Sequence, residues 1–200
     1  MQIVVISPDG EDPRETRVLG ALIKAGLSRY HVRKPAWTRE VLAAWIFSLP
    51  RPWRRNLVLH QHHELAVPLG LGGTHERDSG PVQGGLSRSC HEIAALESCL
   101  PLYNSILFGP VFASISKPGY GPSRKFPWVE LTGVLRRRSR SDARVLAVGG
   151  VTAEALPKCL ELGFDGAAVL GAVWSEPDPA GAYARIRDEA ARLEGERHAA

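Results

Sequence analysis

The side chains best suited to holding an anion cluster in residues 106–122, ILFGPVFASISKPGYGP. The stretch begins as an apolar run and turns abruptly into Ser114, Ser116, Lys117, Gly119 and Gly121. Two hydroxyls offer hydrogen-bond donors, the lysine a compact positive charge, and the glycines a pliable backbone. That combination suits phosphate oxygens; the plainer reading is a solvated loop whose lysine touches nothing. A second stretch, AVGGVTAEA at 147–155, puts Gly149 and Gly150 just ahead of an expected helix N-terminus. Backbone N–H groups and the helix dipole favour an anion there. Leu170 and Gly171, in VLGAV, close the following strand. A third stretch is LHQHHELA at 59–66. His60 and His62 are expected to alternate along one face of a strand end, with His63 next. His75 and His91, on neighbouring strands, would complete the three or four ligands that zinc requires. Ordinary rim or core histidines are the plainer reading. Cys90 and His91 are adjacent, so a strand points them to opposite faces, which argues against a nucleophile–base pair.

These residues need elements to position them. Short β-rich runs are expected at 2–6, 30–33, 56–60, 71–75, 85–91, 105–108, 144–148 and 165–171. Helical spacing of apolar residues is expected over 14–26, 38–48, 126–139, 152–162 and 179–194, with Thr38 and Thr152 as N-caps and Gly163 as a terminating glycine. Strands alternating with helices imply a parallel sheet. Eight of them predict a TIM (β/α)8 barrel, a closed parallel sheet, in one domain over 1–200; a six-stranded open sheet is the competitor. Residues 76–84, ERDSGPVQG, contain Gly and Pro and are too few for a full helical crossover. The helix between strands 4 and 5 is therefore expected to be missing. Function in such a barrel sits at the carboxyl ends of the strands. There the chain places Arg33 and Lys34, the histidines from 60 to 63, His75 with Glu76 and Asp78, Ser89 with His91, the 106–122 loop, and the two glycine turns.

The 200 residues carry 44% apolar and 23% charged side chains, ordinary for a globular chain. Neither a secretory leader nor a bilayer-length apolar segment is evident, so a cytoplasmic protein with no membrane partner is expected. Three cysteines with no ligand spacing read as ordinary reduced thiols. Much of the net charge of +4 comes from Arg136, Arg137, Arg138, Arg140 and Arg144. Without interleaved aromatics this reads as a basic helix end and not as a nucleic-acid surface.

In order along the chain, several segments resemble the thiamine phosphate synthase/TenI superfamily. FGPVFASISKPGYGP is similar to its GP-[IV]-F-x-[TS]-x-[TS]-K segment, GGTHE to its G-x-H strand end, and SRSCHE to its S-x-H strand. LAVGGV and GAAVLGAVW are similar to its AIGGI and GVAVVSAI segments. The resemblance implies a TIM barrel that joins hydroxymethylpyrimidine pyrophosphate to hydroxyethylthiazole phosphate with Mg2+ assistance. Small phosphorylated substrates are the implied partners, and a homo-oligomer is compatible. Ser114, Ser116, Gly149, Gly150, Leu170 and Gly171 match residues holding the thiazole phosphate. Lys117, Ser89 and Arg33 match contacts to the departing pyrophosphate, and His31 falls in the substrate-binding strand 2 segment. The departures are specific. Q-x-R-x-K on strand 2 becomes His31, Arg33 and Pro35, and N-D-R on strand 3 becomes His60, Gln61 and His62. One magnesium carboxylate is lost, leaving Asp78 or Glu76 as substitutes. Pro110 stands where the thiazole tautomerase of the TenI branch has its catalytic histidine. A TenI-like non-synthase, either tautomerase-like or a non-catalytic phosphate-binding barrel, is the alternative.

Overall fold

The computed structural model describes residues 1–115 and 119–199, so Ser116 and Lys117 lie outside the described residues. Eight parallel strands close into a barrel in chain order. They are β1 (Gln2–Ile6), β2 (Tyr30–Val32), β3 (Leu57–Leu59), β4 (Gly73–Glu76), β5 (Gly85–Cys90), β6 (Tyr103–Phe108), β7 (Arg144–Val148) and β8 (Gly166–Val169). Around them lie α1 (Glu15–Lys24), α2 (Arg39–Ser48), α3 (Ile93–Cys99), α4 (Trp128–Arg137), α5 (Leu156–Leu162), α6 (Gly171–Trp174) and α7 (Pro179–Ala199). This is the expected TIM barrel, and the helix between β4 and β5 is absent. Between β3 and β4 a single 3-10 turn, His63–Leu65, replaces another.

Thr38 caps α2 as expected, its hydroxyl accepting from Val41 N. Thr152 does not cap α5, which begins four residues later at Leu156. Pro157 has no N–H to give to residue 153, so the helix can only start where the proline falls in its first turn. Gly163 ends α5 at φ 100°. Three arginines of the cluster have partners at the barrel surface: Arg137 pairs with Glu97 at 2.6 Å, Arg138 with Asp165 at 2.5 Å, and Arg136 donates to the Glu161 carbonyl. Among the described residues no helix is long and apolar enough to cross a membrane.

A buried arginine does the work of the missing β4–β5 helix. Arg88 points out of β5 with its side chain only 4% exposed. Its guanidinium donates to the carbonyls of Asp78, Gly80 and Pro81 at 2.7–3.0 Å and pairs with Glu76 at 3.0 Å. Glu76 also accepts from the Tyr103 hydroxyl. The loop's backbone acceptors, which a helix would have satisfied internally, are thus satisfied by one side chain.

Strand alternation divides the barrel interior into two chemistries. Val4, Ile6, Leu107, Leu146 and Ala168, from β1, β6, β7 and β8, form an aliphatic cluster separate from the outer core. On the other side β2 to β5 turn His31, His75 and Ser87 inward, all buried. Branched aliphatic residues usually fill this space throughout.

Candidate functional site

A cavity of about 720 Å³ opens at the carboxyl ends of the strands. A slightly larger one, about 850 Å³, lies at the opposite end, against Gln2 and α7, where barrel strands begin and chemistry is not expected.

One rim of the upper cavity is built by β6, β7 and β8. Gly149 and Gly150 have φ of 92° and 67°, which L side chains rarely adopt. A Cβ on Gly150 would stand 2.1 Å from the Ala113 carbonyl oxygen. The β6 loop therefore packs directly onto the diglycine, with Val111 N donating to Val148 O at 2.9 Å and Phe112 N to Gly149 O at 3.0 Å. Ser114 N donates to Tyr120 O at 2.7 Å, which fixes the loop next to this rim. Ser114, Gly149, Gly150, Leu170 and Gly171 all line the same cavity, as their expected shared role requires. Leu170 and Gly171 have left the strand, and Gly171 opens α6.

The opposite rim comes from β2 to β5. Arg33 lines the cavity and pairs with Asp9 from the loop after β1. Lys34 faces out of the barrel. It is wholly buried, with Nζ 2.5 Å from Glu15 and 2.7 Å from the Gly10 carbonyl. Glu15 also accepts from Tyr30 at 2.7 Å, and burial pushes its carboxyl up against the pull of Lys34 and Tyr30. Lys34 thus ties the β1 loop to α1. Ser89 lines the cavity and meets His75 Nε2 at 2.8 Å.

The histidines sort differently from the expected set. His60 points into the cavity, but His62 does not share its face. It adopts a left-handed backbone at φ 54°, and its ring turns back to the Trp37 carbonyl at 3.1 Å. His91 stands exposed at the rim and donates to the Gly109 carbonyl at 2.5 Å. Cys90 is buried on the other face, its thiol pushed up to about 12 by burial, and it is no nucleophile. The partner that the strand-end reading missed is His31. Its Nδ1 lies 3.0 Å from His60 Nε2. His60 stacks on His75 with ring centroids 4.1 Å apart. Burial lowers all three below the ordinary imidazole value, His31 to about 3, and neighbouring positive groups push the same way. Each is held as a neutral imidazole at pH 7. No short sequence motif marks this cluster, because its members come from three strands and meet only through the register of His31 with Val58 and of Val58 with Gly73.

Neither acidic candidate completes a magnesium site. Glu76 is committed to Arg88 and Tyr103, and Asp78 lines the cavity without belonging to any group of three possible metal ligands among the described residues. Among the described residues, the group of three possible ligands is all imidazole and contains no carboxylate. This donor set does not fit Mg2+, which takes oxygen ligands.

No family model matches the chain. A thiamine-phosphate synthase from Streptococcus suis is 27% identical over 180 residues, covering 81% of this chain and 76% of the relative. One from Geobacillus thermodenitrificans is 24% identical over 198 residues, covering 90% and 86%. Among solved structures, a thiamine phosphate pyrophosphorylase from Bacteroides thetaiotaomicron aligns with a TM-score of 0.77 at 22% identity, covering 95% of this chain and 98% of that one. Another from Pyrococcus furiosus aligns with a TM-score of 0.77 at 16% identity, covering 96% of both. At those identities the structural likeness concerns the fold.

Proposed function

Because the chain belongs to the thiamine phosphate synthase/TenI superfamily, we propose that it is a transferase of thiamine biosynthesis, working in the cytoplasm. It joins hydroxymethylpyrimidine pyrophosphate to hydroxyethylthiazole phosphate. The C–O bond to pyrophosphate breaks with its electron pair on the leaving group, and the thiazole nitrogen gives its lone pair to the methylene carbon. No proton has to move, so no general base is required.

The observation that carries this reading is the two-sided cavity. Ser114 and the backbone around Gly149, Gly150 and Gly171 suit the phosphate monoester. Arg33 and Ser89 stand on the opposite rim for the pyrophosphate, with Lys117 assigned there by resemblance. Between them Ile6, Leu107 and Val148 give an apolar wall that keeps water from a developing pyrimidine cation. The described residues do not fit a Mg2+ cofactor, so no step is assigned to it.

The test is an assay of both substrates for thiamine phosphate. Turnover is expected in the wild type and its loss in Lys117→Ala. In Gly150→Ala the added Cβ must displace the Ala113 carbonyl, a strain of about 1–3 kcal/mol. The KM for the thiazole phosphate should rise by about tenfold to a hundredfold in consequence. The missing carboxylates favour a second reading, a non-catalytic barrel that binds a thiazole or thiamine phosphate. Phosphate-ligand binding that is weakened in Gly150→Ala, with no product from the wild type under any metal, would select it.

A further inference from the structure

We propose that His31, His60 and His75 form a three-imidazole site for a borderline divalent transition metal of the zinc class, inside the barrel and open to the cavity. One ring comes from each of three adjacent parallel strands, and one nitrogen from each lies within 4.8 Å of the others. His31 Nδ1 and His60 Nε2 face each other at 3.0 Å with no carboxylate between them. Only one proton can occupy that gap. Two nitrogens on a tetrahedral centre with metal–nitrogen bonds of about 2.0–2.1 Å are about 3.3 Å apart, so replacing the proton by a cation needs only a small separation of the rings.

His75 is already oriented for a ligand role. Its Nδ1 meets Ser87 Oγ at 2.9 Å, and that hydroxyl reaches the Thr74 carbonyl at 3.4 Å. A relay in which Nδ1–H donates to the serine and the serine to the backbone fixes the tautomer with Nε2 bare. Such outer hydrogen bonds normally orient metal-binding histidines. Nε2 would then exchange the Ser89 hydroxyl, 2.8 Å away, for the cation. Neutral nitrogen donors without a carboxylate select zinc, cobalt or nickel over magnesium or calcium. Three protein ligands leave a fourth position. Because His60, His75 and Ser89 line the cavity, that position faces the cavity, as in catalytic and not structural zinc sites. Only the further step, that a cation here meets an anionic substrate, rests on the transferase reading.

The experiment is a titration of the chelator-treated, untagged full chain with Zn2+ and Co2+. We expect one equivalent bound, intense visible cobalt bands of a tetrahedral site, and no displacement by excess Mg2+. His60→Gln and His31→Gln should abolish the cobalt bands, while His62→Ala keeps them. Ser87→Ala should weaken binding by about 10–100-fold. Far-UV circular dichroism checks that the variants fold, and the wild-type cobalt spectrum does not depend on any variant. Absence of stoichiometric binding, octahedral bands, or bands that survive His60→Gln would overturn the proposal. None of these readouts uses turnover, so the metal site and the transferase reading can fail separately.

Discussion

Arg88→Ala should be among the most damaging single substitutions in this barrel, although Arg88 touches no substrate. Removing the guanidinium leaves the Glu76 carboxylate, 12% exposed, without its cation and strips the carbonyls of Asp78, Gly80 and Pro81 of their donors. Breaking a buried, hydrogen-bonded ion pair by deleting one partner costs about 3–5 kcal/mol. That is a large share of the whole stability of a domain, about 5–15 kcal/mol. Arg88→Lys restores the charge but not the planar fork that reaches several acceptors together, so it should recover only part of the loss. Urea unfolding of the three proteins checks this. Three matched midpoints would mean that solvent satisfies the loop and the arginine does not organise it. Because β4 and β5 carry His75 and Ser89, loosening their crossover should also spread to the cavity rim.

Arg88 also shows what the sequence makes legible. The short 76–84 connection excludes a helix by composition alone, but nothing in it says which side chain replaces the helix. β7 falls at 144–148 as expected, since RVLAV is nearly continuous apolar sequence bounded by turns. β4 and β5 are faint because their inward positions hold His75, Ser87 and Ser89 where aliphatic residues would have signalled a strand. The phosphate rim is legible because glycine pairs and hydroxyls announce themselves locally. The histidine cluster is not. Reading His60 and His62 as an alternating pair assumes that the strand continues, yet β3 ends at Leu59 and the left-handed backbone at His62 turns its ring away. Lys34 is legible as off-register by its spacing from Arg33, and its burial against Glu15 shows what that register is for.

Acidifying the metal-free protein from pH 7 to pH 5 should cost it a substantial share of its stability. His31, His60 and His75 all have folded pKa values below the unfolded value near 6.5. Between the two values the unfolded chain holds more protons, so stability is complete above about pH 6.5 and falls as pH drops. At about 1.4 kcal/mol per pH unit, His31 alone loses about 2 kcal/mol by pH 5. Its folded value of about 3 means that it is still neutral in the barrel there. His60 and His75 add to this in the same direction. The charged neighbours reinforce the effect. Arg29 acts on His31, Arg33 on His60 and Arg88 on His75, and each cation resists a further proton. A carboxylate such as Asp12, held low by Arg14, destabilises the fold only at lower pH, as it protonates. The loss between pH 6.5 and 5 therefore belongs to the imidazoles. His31→Gln should flatten the slope of unfolding free energy against pH by about 1.4 kcal/mol per unit, one proton's worth. A wild-type slope near zero in that window would mean that water reaches the rings and that the polar half of the barrel interior is not dry.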